Sequence, residues 1–173
     1  PDKLFLASPR EVVRYHASSG TTGKPTIVGY TQNDIEAWSE SVARGLVSAG
    51  VGTDDVLQVC YTYGLFSGGL GLHYGAEKVG AAVVPASTGN TERQIDLVRD
   101  LNVTVIAATP SYLLHMGEVA ERMGVDICKD TKLRLGILGA EPWSERMRDR
   151  IYERLGIKAI DIYGTSELSG PLW

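Results

Sequence analysis

The sequence predicts an α/β fold in which a mainly parallel, doubly wound sheet is flanked by helices. Short runs of β-branched and aliphatic residues alternate with amphipathic helical patterns along the chain. The strand runs are largely apolar, which is typical of strands buried on both faces of a sheet. Such alternation favours parallel pairing through helical crossovers. No fixed-period repeat, long linker or low-complexity tract divides the chain.

The first two strands are expected to flank a polar loop. "VVRYH" leads into this loop and "TIVGY" leads out of it. Thr31 with Asp34 then predicts the start of a helix that ends at Gly50. Its apolar residues recur at helical spacing and are Ile35, Trp38, Val42, Leu46 and Val47.

The later elements continue the alternation. We expect a strand at "VLQVCYTY", a helix at "GGLGLHYGAEKVG" and a strand at "AAVVPAS". Thr91 with Gln94 forms a capping-box pattern before the helix "IDLVRDL", and Pro110 suits the first turn of "PSYLLHMGEVAERMG". The other elements are the strands "VTVIAA", "LRLGIL" and "IKAIDIYG" and the helix "SERMRDRIYERL".

Composition limits the classes of partner. The 173 residues are 43% apolar and 22% charged, which suits one globular domain or a piece of a larger one. A net charge of −4 gives no long-range attraction to nucleic acid or anionic lipid, so we expect neither nucleic-acid nor membrane binding. No apolar stretch approaches the roughly 20 residues of a membrane span. Cys60 and Cys128 are expected to be reduced, buried thiols of a cytoplasmic protein.

Three loops that follow predicted strands carry unusual chemistry. They are "SSGTTGK" (residues 18–24), "GAEPW" (139–143) and "YGTSE" (163–167). Ligands of parallel α/β sheets bind at the carboxyl edge, where such loops meet.

The first loop does not match the Walker pattern, because Ser18 and Pro25 stand where that pattern needs glycine and Ser or Thr. Gly20 and Gly23 allow several backbone N–H groups to turn toward one point, and Lys24 adds a mobile positive charge. Hydroxyl donors come from Ser18, Ser19, Thr21 and Thr22. The loop therefore suits a triphosphate tail, although a polar turn would have a similar composition.

The other two loops are ambiguous when taken singly. Glu167 is a natural oxygen ligand for Mg²⁺, but a glutamate at a helix start would look the same. "GAEPW" reads as a strand-to-helix turn that leads to a cap at Ser144.

Taken together, the three loops resemble those of the adenylate-forming superfamily. The segments "YTYGLFSGGLGLHYGAEKVGA", "GNTERQ", "TPSYLL", "GILGAEPW" and "DIYGTSELSGP" are similar to the phenylacetate–coenzyme A ligase branch in particular. The resemblance implies that residues 1–173 are a fragment of the large N-terminal adenylation domain, with the C-terminal lid domain outside the chain. Thr165 stands where leucine is common in that branch, which leaves the acid specificity open.

The resemblance implies an ATP-dependent, AMP-forming ligation of an aromatic carboxylic acid to coenzyme A, with Mg²⁺. Lys24, Ser166 and Glu167 would act on the phosphates, with Glu167 as the metal ligand and Ser166 at the α-phosphate. The β- and γ-phosphates would be held by Ser18, Ser19, Gly20, Thr21, Thr22, Gly23 and Lys24. The adenine would be surrounded by Gly139, Ala140, Glu141, Pro142, Asp161, Ile162 and Tyr163. Gly164 and Thr165 would also bind the nucleotide.

The resemblance also places the acid pocket near the glycine-rich stretch after the second buried strand. Its candidate residues are Tyr61, Tyr63, Phe66, Gly68, Gly69 and His73, although core packing would also explain the aromatic ones. The glycines leave room for a flat ring or let the helix start close to it. Two alternatives stay open: an aryl-acid adenylating relative with a different acceptor, and a non-catalytic nucleotide-binding or interaction module. For the full-length protein we expect a homodimer.

Overall fold

The computed structural model describes residues 6–18 and 24–165 of the chain. Within these ranges the chain forms seven strands and six helices. The strands are β1 (Val12–Ala17), β2 (Ile27–Thr31), β3 (Val56–Val59), β4 (Ala82–Val84), β5 (Val105–Ala108), β6 (Leu135–Gly139) and β7 (Lys158–Ile162). The helices are α1 (Gln32–Ser48), α2 (Ser67–Val79), α3 (Thr91–Asp100), α4 (Pro110–Arg122), α5 (Ile127–Asp130) and α6 (Glu145–Leu155).

Five strands form one parallel sheet in the order β4-β3-β5-β6-β7. From β3 the chain moves outward through α2 to β4, and α3 then carries it back across β3 to β5. Because this reversal places crossover helices on both faces, the doubly wound prediction is confirmed. β1 and β2 form a separate antiparallel hairpin around the polar loop, as expected.

Each face of the sheet buries its own apolar cluster. Helices α1 and α2 pack with Leu57, Val105 and Ile137 on one face. Helices α3, α4 and α6 pack with Ile106 and Leu138 on the other. No helix in the described part of the chain has both the length and the apolar character needed to cross a bilayer.

The close contact between α1 and α2 depends on glycine. A Cβ built on Gly71 would lie 2.6 Å from the ring of Trp38, and one on Gly75 would lie 2.5 Å from Cγ1 of Val42. Trp38 and Val42 are both buried in the interface between the helices. The glycines of α2 therefore let the two helix backbones approach each other.

The helix starts confirm one predicted cap and correct another. Thr31 and Asp34 form the expected capping box, in which each side chain accepts a hydrogen bond from the other residue's backbone N–H. The prediction of a capping box at Thr91 is wrong, because Asn90 caps α3 by accepting a hydrogen bond from the backbone N–H of Arg93. Gln94 is instead buried and accepts a hydrogen bond of 2.7 Å from Gln58.

Two smaller expectations also differ from the structure. Cys60 is buried as expected, but Cys128 is exposed because it lies on the short surface helix α5. Ser144 occupies the N-cap position of α6, but its side chain makes no capping hydrogen bond.

A buried carboxylate joins the amino ends of three strands. Asp55 precedes β3 and accepts hydrogen bonds from the hydroxyl of Thr104 (2.6 Å), from the guanidinium of Arg134 (2.6 Å) and from the backbone N–H of Gly52 (2.9 Å). Thr104 and Arg134 precede β5 and β6. Burial by itself would raise the pKa of Asp55, but these hydrogen bonds lower it below the ordinary value.

Replacing this carboxylate should make stability depend less on pH. We expect Asp55→Asn to lower the free energy of unfolding by about 2 kcal/mol at pH 7, because it weakens a buried acceptor of several hydrogen bonds. Since the folded-state pKa is lowered, the carboxylate stabilises the fold above the unfolded-state pKa of about 3.9, and this is lost as the pH falls through the folded value. In urea titrations, the stabilities of the two proteins should therefore begin to converge as the pH falls below about 4. A stability gap that stays constant down to pH 3 would contradict this account.

Enlarging the interface glycine should separate α1 from α2. We expect Gly71→Ala to cost about 1–3 kcal/mol, because its Cβ would collide with the Trp38 ring. Gly52→Ala is the matched control, since its Cβ would meet nothing within 4 Å, and we expect a change within about 0.5 kcal/mol. Thermal unfolding of the two variants checks this, and equal stabilities would refute the packing argument.

Candidate active site

The sheet topology brings several predicted site segments to one edge. In the parallel register Gly139 pairs with Ile162 and Leu138 pairs with Asp161, so residues 139–142 and 161–163 are neighbours. The carboxyl end of β5 lies beside that of β6, where Ala108 pairs with Leu138. The winding reverses between β3 and β5, and such switch points form the ligand crevice of open α/β sheets.

A cavity of about 350 Å³ lies at this switch point. Its walls include Tyr61 and Phe66 after β3, Thr88 after β4, and Thr109 and Tyr112 after β5. Burial raises the pKa of the Cys60 thiol, which also lines the cavity, to about 12, so this thiol is neutral at physiological pH. The size is at the lower end of the range for small-molecule sites, and the lining is mainly apolar.

Tyr61 joins the carboxyl ends of three strands. The residue is buried, and its hydroxyl donates to the carbonyl oxygen of Ala108 at 2.5 Å, with the carbonyl oxygen of Gly139 at 3.4 Å. Burial raises the pKa of Tyr61, and the negative charges of Glu141 and Asp161 raise it further. The phenol is therefore neutral, and its ring forms a fixed wall of the cavity.

Tyr63 and His73 contact each other and are not among the residues that line this cavity. The Tyr63 hydroxyl lies 3.2 Å from Nδ1 of His73, and Nε2 of His73 lies 3.1 Å from the Glu77 carboxylate. A carboxylate only accepts hydrogen bonds, so Nε2–H donates to Glu77, and Nδ1 of a neutral imidazole then accepts from the Tyr63 hydroxyl, whose pKa is raised by burial. These side chains tie the segment after β3 to α2.

Gly68 and Gly69 let α2 begin close to the preceding segment. A Cβ on Gly69 would lie 2.7 Å from the carbonyl oxygen of Thr62, and one on Gly68 would lie 2.5 Å from the Phe66 ring. These two glycines are therefore needed for the close approach of α2 to the preceding segment, and their place beside a bound ring stays a prediction.

The segment from Gly139 to Pro142 forms a tight lip beside β7. A Cβ on Gly139 would collide with the carbonyl oxygen of Ile162, and Ala140 adopts a left-handed conformation with φ of 67°. Glu141 accepts hydrogen bonds from the backbone N–H of Ser111 at 2.7 Å and from its hydroxyl at 2.9 Å. Glu141 thus links the lip to the first turn of α4, while Pro142 lies exposed.

The end of β7 offers a carboxylate and an exposed aromatic ring. Oδ1 of Asp161 accepts a hydrogen bond of 2.7 Å from the indole N–H of Trp143. Ile162 is buried in the cluster under α1 and α2, whereas the Tyr163 side chain is 72% exposed. Gly164 and Thr165 are the last residues described at this edge.

The predicted phosphate loop is described only at its two ends. The backbone N–H of Ser18 donates to the carbonyl oxygen of Thr26, and the Ser18 hydroxyl accepts from the backbone N–H of Thr26. Lys24 is exposed. Outside the described residues lie Ser19, Gly20, Thr21, Thr22, Gly23, Ser166 and Glu167. Among residues 6–18 and 24–165, no group of three or more His, Cys, Asp or Glu side chains could hold a metal ion.

The structure adds site residues that the sequence patterns did not reveal. Thr88, Thr109 and Tyr112 line the cavity, and Trp143 holds Asp161. Thr109 is the N-cap residue of α4, and Tyr112 lies in the first turn of this helix. The capping role is sufficient to explain a threonine before proline, so the sequence offered no reason to place Thr109 in a binding site. The available sequence signal was that Thr88, Thr109 and Tyr112 each follow a predicted strand. Only the strand order shows that β4 and β5 both flank β3, so that these residues meet the segment that follows β3.

Comparisons with known proteins agree with this geometry. The chain is 56% identical to a phenylacetate-coenzyme A ligase of Pseudomonas putida and 54% identical to one of Escherichia coli (strain K12), each over 171 residues. Each alignment covers 99% of this chain and 39% of the relative, so the chain spans about two-fifths of the length of these proteins.

A solved structure of 2-hydroxyisobutyryl-CoA ligase with 2-HIB-AMP and CoA superposes with a TM-score of 0.87 at 26% identity, over 94% of this chain and 38% of that one. The family model for AMP-binding enzymes matches residues 6–173. With this match over nearly all of its sequence, and with the predicted nucleotide segments side by side at one sheet edge, the chain belongs to the AMP-binding enzyme family.

Proposed function

We propose that the full-length protein is an ATP-dependent, AMP-forming ligase that converts phenylacetate, or a related aromatic acid, to its coenzyme A thioester. One observation carries this proposal: a small, mainly apolar cavity opens at the switch point, and the Gly139–Pro142 lip and Asp161 lie on its β6–β7 side. A binding cavity for a ring beside a binding edge for a nucleotide is the arrangement that an aryl-acid adenylation needs.

The proposed reaction has two steps, adenylation of the acid and formation of the thioester. A carboxylate oxygen of the acid attacks the α-phosphorus of ATP, and the bond to the departing pyrophosphate breaks. The thiol of coenzyme A then attacks the acyl carbon of the adenylate, releasing AMP and a proton. Both steps depend chiefly on positioning and on neutralising negative charge on oxygen.

Particular residues support the acid half of the proposal. Tyr61 and Phe66 offer ring surfaces for an aromatic group, and their rings lie 6.2 Å apart. The hydroxyl of Tyr61 is hydrogen-bonded to main-chain carbonyls and therefore takes no part in proton transfer. The contribution of Tyr61 is its ring, which binds the substrate. The small cavity suits an acid with a single ring.

The nucleotide half follows from sequence resemblance. Residues Ser18–Lys24 would hold the β- and γ-phosphates, and Ser166 would contact the α-phosphate. Gly139–Pro142 with residues 161–163 would surround the adenine, and Gly164 and Thr165 would also bind the nucleotide. Glu167 would hold Mg²⁺, which supplies positive charge to the phosphate oxygens. The Mg²⁺ ligand is a prediction that the described residues do not test.

Other properties also stay predictions. They are the cytoplasmic location, the lack of nucleic-acid and membrane partners, the homodimer, and the assignment of residues 1–173 to the large adenylation domain with a separate lid domain. An aryl-acid ligase that uses an acceptor other than coenzyme A is the rival within the enzyme class. A nucleotide-binding module without catalysis is the rival outside it.

Exchange of labelled pyrophosphate into ATP tests the proposal on the full-length protein. We expect exchange with phenylacetate or a similar acid, and we expect AMP formation to increase when coenzyme A is added. Lys24→Gln should reduce exchange at least tenfold by removing a positive charge from the phosphates, whereas Lys158→Gln, at the opposite edge of the sheet, should not. Absence of exchange with every aromatic acid would refute the proposal, and turnover independent of coenzyme A would favour a different acceptor.

Shortening Phe66 should shift the acid preference toward larger rings. We expect Phe66→Ala to raise kcat/KM for indoleacetate relative to phenylacetate by about tenfold, because the cavity loses one wall. Leu65→Ala is the matched control, since Leu65 is exposed and does not line the cavity. If the two variants keep the same ratio of rates, Phe66 does not line the acid site.

A further inference from the structure

We propose that Trp143 is a positioning residue for recognition of the nucleotide base, acting through Asp161. This inference rests on the proposed function, in which Asp161 lies at the adenine. It assigns to Trp143 and Arg148 the task of fixing one carboxylate oxygen of Asp161 so that the other faces the base.

The hydrogen bond between Trp143 and Asp161 joins two separate loops of the site. Trp143 directly follows the Gly139–Pro142 lip, and Asp161 lies near the carboxyl end of β7, in register with Leu138. The indole N–H donates to Oδ1 of Asp161 at 2.7 Å, which is at the short end of the range for N–H···O hydrogen bonds. In the described ranges, no other donor bonds to either carboxylate oxygen of Asp161.

Arg148 holds the indole ring in place. Its guanidinium carbon lies 4.6 Å from the centroid of the Trp143 ring, a distance at which a cation interacts favourably with an aromatic face. The same guanidinium donates to the carbonyl oxygen of Ala159 on β7 and, at 3.0 Å, to the carboxylate of Glu145. Helix α6, the lip and β7 are thereby connected through one arginine, and the Trp143 ring also packs against the core.

The remaining oxygen of Asp161 gives the site a preference among purines. An ionised carboxylate only accepts hydrogen bonds, so Oδ2 pairs with a donor. The 6-amino group of adenine is such a donor, whereas hypoxanthine presents a carbonyl oxygen at that position and would be repelled. If Oδ1 were released from the indole, the Asp161 side chain would rotate and the preference would weaken.

The experiment compares adenine and hypoxanthine nucleotides on the full-length protein. Trp143→Phe keeps an aromatic face for Arg148 but removes the indole N–H. We expect the wild type to prefer ATP over inosine triphosphate in pyrophosphate exchange by about tenfold, and the variant to lose most of this preference. The change should come from KM for ATP, with kcat and KM for the acid altered less than twofold.

Trp38→Phe is the matched control. It makes the same chemical change at a buried tryptophan whose indole N–H has no hydrogen-bond partner within the described residues. It should lower activity, if at all, equally with both nucleotides. Arg148→Lys keeps the charge but loses the flat guanidinium, and we expect it to reduce the preference partly, which supplies a second test if Trp143→Phe folds poorly.

Calorimetric titration with AMP and inosine monophosphate separates this inference from the proposed function. A loss of the AMP preference in Trp143→Phe but not in Trp38→Phe supports the positioning role, even in a protein that shows no exchange. An unchanged preference in Trp143→Phe, or an equal loss in both variants, overturns it. Absence of exchange in the wild type counts only against the proposed function.

Discussion

The hydrogen bonding of the Tyr61 hydroxyl is the interaction on which the candidate site depends. Its oxygen reaches main-chain carbonyls at the ends of β5 and β6, while its own backbone lies just past the end of β3. Three strand ends are therefore held around one buried phenol. These carbonyls belong to Ala108 and Gly139, the last paired residues of β5 and β6, where a buried main-chain acceptor needs a hydrogen-bond donor. The cavity wall and the lip of the nucleotide edge are positioned by the same contact.

The reversal of winding at β3 explains why this contact lies where it does. Strands β4 and β5 flank β3, so the segments that follow all three converge and enclose the cavity. The amino edge of the sheet, which carries the Asp55 network, contributes to stability. There a buried carboxylate satisfies donors from the segments before β3, β5 and β6. At the carboxyl edge, by contrast, Oδ2 of Asp161 has no hydrogen-bond donor among the described residues and can accept from a ligand.

Helix α2 shows how packing limits the sequence near a site. On one side its glycines lie against α1, and on another they lie against the segment that carries Thr62 and Phe66. A helix squeezed in this way gains little from its intrinsic propensity, since glycine costs about 1 kcal/mol relative to alanine. The glycines lower the helix propensity of α2, but they allow the close approach that places Phe66 at the cavity. The chain from Tyr63 through His73 to Glu77 then ties the same segment to the helix by hydrogen bonds.

The sequence by itself determined the alternation of strands and helices, the capping box at Thr31 and the three loops whose motifs indicate an AMP-binding enzyme. These features depend on neighbours within a few residues, where spacing and backbone preference act directly. It placed the cap of α3 one residue too late, because Gln94 is held by Gln58, a partner 36 residues away in sequence. Only the tertiary structure decided that Thr88, Thr109 and Tyr112 share a cavity, that Tyr63 and His73 contact each other and do not line it, and that Trp143 holds Asp161. Each of these outcomes depends on strand order and on side chains distant in sequence, which local patterns do not encode.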